Sequence, residues 1–266
     1  MLSRTVRFCI NPDGSFDGPN GYGGRPAMRG LGRYYELTCT LRGSPDPRTG
    51  YIVGIQEIDA VVRTSIIPRI AEACRDSPQS EPASLMPDLW DRTATGLPHT
   101  LARLTWSLTP TYKVEMTVTD RHAQPPRVLI RQKFDFAAAH RLHSPELTNA
   151  ENREIFGKCN NPSGHGHNYQ IEPVIALPVA RAGGFSMARF EEIVEDSVIR
   201  LFDHKHLNTD TDAFDTARGG VIPSVEHIAM ICHDRLAEPV RALGDGAELV
   251  RVTVWETDRT SCTYPA

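Results

Sequence analysis

The amino-acid sequence predicts an α+β protein made of two similar halves, each an antiparallel sheet with its helices on one face. The prediction rests on three observations. The C-terminal half has the order strand, strand, helix, helix, strand, a weaker copy of that order precedes it, and a polar segment with two adjacent prolines separates the copies. This segment, 119–128, has the composition of a linker, so we expect one domain over residues 1–120 and a second over residues 127–266.

The C-terminal half gives the clearest element pattern. Its strands are predicted from apolar alternation and its helices from apolar residues at helical spacing. In chain order the elements are the strands "RVLIRQKFDFAAA" and "NYQIEPVIALPV", the helices "MARFEEIVEDSVIRLF" and "VEHIAMICHDRLAEPV", and the strand "AELVRVTVWET". Ser224 can cap the second helix, and Leu201 is expected on the buried face of the first. One further strand is expected before the last.

The N-terminal half repeats this plan. "RYYELTCTLRG" matches "HNYQIEPVIAL", "IQEIDAVVRTSIIPRI" matches the first helix, and "ARLTW" resembles "VRVTVW". A repeat of about 130 residues indicates a duplicated domain rather than a solenoid. When Tyr35 is aligned with Tyr169, Leu31 stands opposite His165 and Arg33 opposite His167. The first copy therefore keeps the periodicity and loses the imidazoles.

Two segments of the N-terminal half are expected to be loops. Residues 76–100 are rich in proline, serine and threonine, which favours a long loop or an insertion. "GPNGYGGRPAMRGLG" fits no phosphate-binding pattern and is interpreted as a hairpin loop.

Composition excludes several classes of function. The net charge is −4 at pH 7, which gives no reason to expect a nucleic acid or an anionic membrane as partner. No stretch is apolar enough to be a signal peptide or to span a bilayer, so we expect a cytoplasmic protein. Its six cysteines show no framework spacing and are interpreted as thiols. Five of them have apolar or strand-like neighbours, and Cys159 does not.

Residues 156–169, "FGKCNNPSGHGHNY", carry the pattern of a metal site. In an extended segment, residues two apart project to the same side, so His165 and His167 can converge on one point. A third ligand can come from His140 or His143, and His140, at the end of the preceding strand, is geometrically favoured. Three histidines and a vacant fourth position are typical of catalytic zinc, so Zn²⁺ is the predicted cofactor.

The role of Cys159 has two interpretations. Beside a divalent metal and Lys158, its thiol should have a lowered pKa and can act as a base or a nucleophile. Alternatively, Cys159 is a fourth ligand that closes a structural zinc site.

Two acidic groups complete the set of candidates. Asp203 and His204 are adjacent after a helix and can form a proton relay, although a histidine is also favoured there by the helix dipole. Glu256 extends the apolar row of the last strand, so its carboxylate lies either at an exposed end or against a polar ligand. A carboxylate pairs well with a planar edge that carries two N–H donors.

Residues 128–266 resemble the 6-pyruvoyltetrahydropterin synthase family, which includes the 6-carboxytetrahydropterin synthases of queuosine biosynthesis. The resemblance lies in five motifs in this order: "FAAAHRL", "FGKCNNPSGHGHNY", "FDHKHLN", "PSVEHIA" and "VWET". It implies the T-fold, a four-stranded antiparallel sheet with two helices on one face, here in tandem and with a degenerate first copy. It also implies a homo-oligomer whose subunits join into a barrel with active sites at the interfaces.

The resemblance further implies a role for each candidate residue. His140, His165 and His167 would bind zinc, Cys159 would be the base, and Asp203 with His204 would form the relay, entering from a neighbouring subunit. Glu256 would anchor the pterin ring, with Ser224 and Glu226 as further candidates for substrate binding.

The implied reaction is conversion of 7,8-dihydroneopterin triphosphate to 6-pyruvoyltetrahydropterin with loss of triphosphate, a step in tetrahydrobiopterin biosynthesis. The five residues between Cys159 and His165 resemble the pyruvoyl-forming branch. The alternatives are the carboxy-forming synthase acting on the same substrate and a non-catalytic pterin-binding protein. The N-terminal half lacks these groups and is predicted to be catalytically silent.

Overall fold

The computed structural model describes residues 1–97 and 100–266. The chain forms two compact units. Unit 1 comprises Met1–Arg131 with Ala176–Phe185, and unit 2 comprises Gln132–Ile175 with Ser186–Ala266. Both units contain strands and helices, which confirms the α+β class. The sheet of each unit is open, and assembly of subunits into a barrel stays a prediction.

Unit 1 is a sheet with helices. Its strands are β1 (Leu2–Ile10), β2 (Arg33–Arg42), β3 (Thr100–Ser107), β4 (Tyr112–Thr117) and β5 (Arg127–Gln132). Its helices are α1 (Ile55–Val61), α2 (Ile67–Asp76), α3 (Pro82–Gly96) and α4 (Val118–His122). Strands β1 to β4 pair in chain order as antiparallel neighbours, and β5 lies beside β4. The glycine-rich segment joins β1 to β2, as expected of a hairpin loop.

The expectation of a loop over residues 76–100 was wrong, because α3 forms there. Pro82 lies at the start of this helix, where the missing N–H has no partner to lose. Ala83, Met86 and Trp90 are buried at helical spacing. The prolines of this segment suggested a loop, although its apolar residues follow the spacing of an amphipathic helix. The predicted linker 119–128 likewise includes α4.

Unit 2 has its own strands and helices. The strands are β6 (Phe134–His140), β7 (His165–Pro178, its last three residues in unit 1), β8 (Lys205–His206), β9 (Glu248–Thr257) and β10 (Thr260–Tyr264). The helices are α5 (Asn149–Phe156), α6 (Met187–Val194), α7 (Arg200–Phe202), α8 (Leu207–Asp210) and α9 (Val225–Arg241). The strand order is β8, β6, β7, β9, β10, with β6 antiparallel to β7 and parallel to β8. Helix α9 packs on β9 and β10.

Three details of unit 2 differ from expectation. The predicted single strand "RVLIRQKFDFAAA" is divided between β5 and β6. The two-residue strand β8 precedes the last predicted strand, as expected, but a second additional strand, β10, follows the last predicted strand and pairs with it. A π-helical turn, Glu195–Ile199, lies between α6 and α7, and the extra residue per turn shifts the helix face. Phe202 is therefore buried in place of Leu201.

The core of unit 2 is formed by apolar side chains of the sheet and of the helices packed on it. Phe136 stacks on Tyr169 with ring centroids 5.0 Å apart, and Phe202 contacts Phe136 from the helix side. This packing fixes β6 against β7 beside the candidate site. Among the described residues, no helix combines the length and the apolar character needed to cross a bilayer.

Candidate active site

The pairing of β6 with β7 brings the predicted histidines together. His140 stands directly opposite His165, and Ala138 stands opposite His167. Alternate residues of a strand share one face, so His165, His167 and Tyr169 form a row facing His140. The small side chain of Ala138 leaves room for the imidazole of His167. His140, the candidate that the sequence favoured as third ligand, thus lies beside His165.

Glu256 joins the three histidines. The metal-ligand atoms of His140, His165, His167 and Glu256 all lie within 4.8 Å of one another. His140 Nε2 lies 3.1 Å from His165 Nε2 and 3.2 Å from Glu256 Oε1. His167 Nε2 lies 3.4 Å from the same oxygen of Glu256. Four side chains from β6, β7 and β9 thus aim their polar atoms at one small volume.

A hydrogen bond of His140 Nδ1 determines which nitrogen of the neutral ring carries the proton. His140 is fully buried, and its Nδ1 lies 2.7 Å from the Pro223 carbonyl oxygen. A carbonyl can only accept, so Nδ1 carries the proton and donates it. In the neutral ring, Nε2 then has a free lone pair directed into the cluster. A carbonyl behind a metal-binding histidine is the usual way in which proteins orient such a ligand.

Burial disfavours the charged forms of His165 and His167. Burial lowers the pKa of His165 and of His167, and nearby imidazoles lower it further. A hydrogen bond from His140 Nε2, which only the doubly protonated ring can donate, is the first cause that lowers the pKa of Glu256, and the charge of His167 is a further cause, so this carboxyl is ionised at neutral pH. His165 Nδ1 and His167 Nε2 are buried without a hydrogen-bond partner among the described residues. Neutral imidazoles with unpartnered nitrogens and one carboxylate form a donor set that fits a divalent transition metal such as zinc.

Cys159 is not one of the four clustered residues. It lies in a 3₁₀ turn, Gly157–Asn160, and its carbonyl accepts from the Leu142 amide at 2.9 Å. Burial and the charge of Glu256 raise the pKa of the Cys159 thiol. The sequence predicted a lowered pKa. The physical reason for the difference is that burial, the larger cause, and the Glu256 carboxylate both disfavour the thiolate, whereas the predicted lowering depended on Lys158 and a bound cation.

Asp203 and His204 pair with each other at the outer edge of β6. His204 Nδ1 lies 2.8 Å from Asp203 Oδ2, and Asp203 Oδ1 accepts from the Ala137 amide at 2.8 Å. These bonds lower the pKa of Asp203, with the Ala137 amide as the larger cause. The His204 side chain is 83% exposed, and its backbone has φ of 55°. A left-handed conformation is uncommon outside glycine and marks a constrained position. The pair is thus held at the surface, where His204 lines one pocket together with His167 of the cluster.

The remaining candidates lie elsewhere. Ser224 caps α9, where its hydroxyl accepts from the His227 amide at 3.4 Å, and Glu226 is exposed on the first turn of that helix. His143 contacts Asn160 at 3.1 Å and is not a member of the cluster. Of the two candidates for the third ligand, the structure places His140 in the cluster with His165 and His167.

Sequence reasoning missed two contributors to this site. The Pro223 carbonyl orients His140, and no sequence pattern identifies a backbone acceptor that comes from a distant loop. The Tyr169 hydroxyl lies 3.3 Å from His140 Nδ1. Its position could have been read from the sequence, since Tyr169 continues the row of His165 and His167 at the same two-residue spacing.

Comparison with known proteins identifies relatives of the C-terminal half. The family model described as 6-pyruvoyl tetrahydropterin synthase matches residues 129–266. The 6-pyruvoyl tetrahydrobiopterin synthase of Homo sapiens is 34% identical over 137 residues, covering 51% of this chain and 89% of the human protein. The protein of the same name from Drosophila melanogaster is 42% identical over 94 residues, which cover 35% of this chain and 56% of the fly protein. The structure of the Caenorhabditis elegans 6-pyruvoyl tetrahydropterin synthase is 31% identical with a TM-score of 0.46, over 52% of this chain and 95% of that one.

Proposed function

Because the chain belongs to the 6-pyruvoyl tetrahydropterin synthase family, we propose that it converts 7,8-dihydroneopterin triphosphate to 6-pyruvoyltetrahydropterin and triphosphate with a bound zinc ion. The chain is an enzyme of the lyase class. The proposed reaction is an internal redox rearrangement with elimination of triphosphate, so it balances without an external reductant. We assign catalysis to residues 127–266 and a non-catalytic role to residues 1–120.

One observation carries this proposal: the cluster of three histidines and Glu256 within the region that the family model covers. His140, His165 and His167 would hold the zinc ion. When bound, the ion would act as a Lewis acid that polarises oxygens of the substrate side chain. His140 donates its Nδ1 proton to the Pro223 carbonyl, and the pKa values of His165 and His167 are lowered, so protons compete less for the lone pairs of these two rings.

The protein supplies groups for proton transfer. Cys159, within electrostatic range of Glu256, is proposed as the base that removes a proton from a side-chain carbon of the substrate. Asp203 accepts from His204 Nδ1, which leaves Nε2 of His204 free to exchange a proton. Because His204 is exposed, we propose that this pair enters the site of a neighbouring subunit in a homo-oligomer.

Glu256 would hold the pterin ring. An ionised carboxylate accepts two parallel hydrogen bonds from a planar edge carrying an amino group and a ring N–H. Ser224 and Glu226 are proposed as further contacts for the substrate. With the ring held at Glu256 and the side chain beside the histidines, the reacting carbons are fixed near Cys159.

The test is a product analysis on the purified full chain. Incubation with 7,8-dihydroneopterin triphosphate is expected to give 6-pyruvoyltetrahydropterin by mass and one triphosphate per turnover. Removal of zinc with a chelator should abolish turnover, and added zinc should restore it. Release of acetaldehyde would assign the carboxy-forming reaction instead, and absence of any product from the zinc-loaded protein would refute the enzymatic proposal.

A pair of matched variants connects the activity to the cluster. His140→Ala removes a buried ligand, so we expect loss of both zinc and turnover. His233→Ala changes a histidine of α9 that contacts the Tyr264 ring, and both quantities should stay at the level of the unmodified protein.

A further inference from the structure

At the position where unit 2 has the candidate metal ligand His167, unit 1 has Arg33. In unit 2, Phe136 pairs with Tyr169, and His167 precedes that tyrosine by two positions. In unit 1, Phe8 pairs with Tyr35, and Arg33 precedes Tyr35 by two positions. The same face of the second strand therefore carries a guanidinium in unit 1 and an imidazole in unit 2.

A cavity lies beside Arg33. Its volume is about 100 Å³, and its wall includes the side chains of Arg33, Tyr35, Cys74 and Trp106 from β2, α2 and β3. A neighbouring pocket of about 370 Å³ shares Arg33 and Cys74 with this cavity. A ligand bound in either space would therefore lie beside Arg33.

Two residues that line this cavity, Trp106 and Tyr35, carry hydrogen-bond donors. Trp106 is 3% exposed, and its Nε1 is buried with no hydrogen-bond partner among the described residues. An indole N–H can only donate, so this group needs an acceptor. The Tyr35 hydroxyl has a distant contact with Cys74 Sγ at 3.9 Å. Burial raises the pKa of Tyr35 to about 12, so the hydroxyl keeps its proton and can also donate.

The charge of Arg33 is not matched by an acid in the cavity. The Cys74 thiol and the Tyr35 hydroxyl are the groups that raise the pKa of Arg33, and no carboxylate is among them. Asp13, which lines the neighbouring pocket, and Asp76, which follows the lining residue Arg75, both have other partners. Asp13 accepts from Arg29 Nη2 at 3.2 Å, and Asp76 pairs with Arg75 at 2.8 Å. The Arg33 guanidinium and the neutral donors of Trp106 and Tyr35 thus line a cavity that has no carboxylate among its lining residues.

We propose that this cavity binds a small oxyanion, a carboxylate or a phosphate, through the Arg33 guanidinium, the Trp106 indole N–H and the Tyr35 hydroxyl. Arginine pairs well with planar or tetrahedral oxyanions, and charge-assisted hydrogen bonds are stronger than neutral ones. Unit 1 is then a ligand-binding module, a role separate from the proposed lyase reaction of unit 2.

Nuclear magnetic resonance of the indole groups tests this assignment directly. The chain contains three tryptophans, so the ¹⁵N-labelled full chain gives three indole signals, and Trp106→Phe identifies the one of interest. We expect a saturable shift of the Trp106 signal on titration with sodium acetate or inorganic phosphate, and none with sodium chloride at equal ionic strength. Saturation by acetate alone would define a carboxylate site, and saturation by phosphate alone would define a phosphate site.

Variants of exposed arginines on β2 provide the control. Arg33→Met should weaken the saturable binding by at least about tenfold, the effect of one lost charge-assisted hydrogen bond. Arg33→Gln serves as the second variant if the methionine variant does not fold. Arg42→Met, at the opposite end of the strand, should bind like the unmodified chain. The proposal is overturned if neither anion shifts the Trp106 signal saturably, or if the folded Arg33 variants bind as tightly as the control.

Discussion

Glu256 has two possible partners at the active site. Its carboxylate lies within hydrogen-bond distance of two cluster histidines, which is also the position from which it could complete a metal coordination shell. The proposed function instead assigns it to the pterin ring. These assignments differ in one measurable respect, because a metal ligand controls zinc content and a ring anchor controls substrate affinity.

Glu256→Gln should raise KM for the pterin substrate by about 10- to 100-fold, since a charge-assisted hydrogen bond contributes about 1.5–3 kcal/mol. Zinc content, measured by atomic emission, should not change. Glu248→Gln on the same strand is exposed and serves as the control. A Glu256 variant that loses its zinc would contradict the assignment and make this residue a ligand.

Cys159 is a second residue whose role can be separated from metal binding. The loss of a general base typically reduces catalysis by about 10²–10⁴-fold, so we expect Cys159→Ser to lower kcat within this range. Its zinc content should equal that of the unmodified protein. Cys262→Ser alters the other half-exposed thiol of unit 2 and should leave kcat unchanged. Parallel loss of zinc and activity in Cys159→Ser would instead indicate a thiolate ligand.

The lowered pKa values of His165 and His167 predict how the zinc-free protein responds to acid. In the unfolded chain these imidazoles titrate near about 6.5. As the pH falls through this value, the unfolded chain binds protons that the folded chain does not, so the free energy of unfolding decreases. The decrease ends below the folded-state pKa values. Its slope is at most about 1.4 kcal/mol per pH unit for each proton.

Urea unfolding of zinc-free protein between pH 7.5 and 5.5 measures this slope. The double substitution His165→Gln and His167→Gln should flatten it, because glutamine does not titrate. Glu256 contributes separately at lower pH: its folded pKa is lowered, so its stabilisation is present above the unfolded value and is lost as the pH falls through the folded one. An equal slope in both proteins between pH 7.5 and 5.5 would show that the two histidines do not carry the effect.

At the scale of elements, the start of β7 determines where His165 lies. Gly164 has φ of 71°, and a Cβ placed on it would lie 2.6 Å from His206 Nε2 and 2.9 Å from the His140 carbonyl oxygen. Both the backbone conformation and the space therefore require glycine. This position connects the turn after Cys159 with the first metal-site histidine of β7.

Gly164→Ala should lower the free energy of unfolding by about 1–3 kcal/mol, through backbone strain and steric overlap. We also expect a lower zinc content, because His165 follows directly and would be displaced. Gly157→Ala is the matched control: Gly157 has φ of 51°, but a Cβ there meets nothing within 4 Å. The control should show a smaller loss of stability and normal zinc content in denaturant unfolding and metal analysis. Equal effects of the two substitutions would mean that steric overlap at Gly164 does not matter.

The elements also show what the sequence could and could not predict. The row of His165 and His167 and the strand of His140 were predictable, because strand periodicity alone sets which side chains share a face. Helix α3 was missed because Pro82 and Pro87 resemble loop residues, although the first proline stands at a tolerated position. Strand β10 was missed because its five residues have little apolar alternation and depend on pairing with β9. The contact of Glu256 with the histidines requires β9 beside β7, which no local pattern specifies.

At the scale of the whole molecule, the two units differ in the chemistry of one equivalent position. In unit 2 the row at the start of β7 reads His165, His167, Tyr169, whereas in unit 1 the strand β2 begins with Arg33 and Tyr35, and Leu31 precedes it in a turn. The tyrosine packs against a phenylalanine in each unit, with ring centroids 5.9 Å apart in unit 1 and 5.0 Å apart in unit 2. The packing position is thus similar in the two units, whereas the ligands that would bind a metal are present in unit 2 alone among the described residues.

This difference predicts one zinc ion per chain. In the part of the chain that the structure describes, one group of side chains could hold a metal ion, formed by His140, His165, His167 and Glu256. Metal analysis of the full protein should therefore give a molar ratio of zinc to protein chain near one. A ratio near two would place a second metal in the assembly and contradict a silent unit 1. Arg33→His tests the reason for the difference, because it restores an imidazole at the equivalent position but supplies only one ligand. Three protein ligands are the usual minimum for a zinc site, so the ratio should remain near one in this variant.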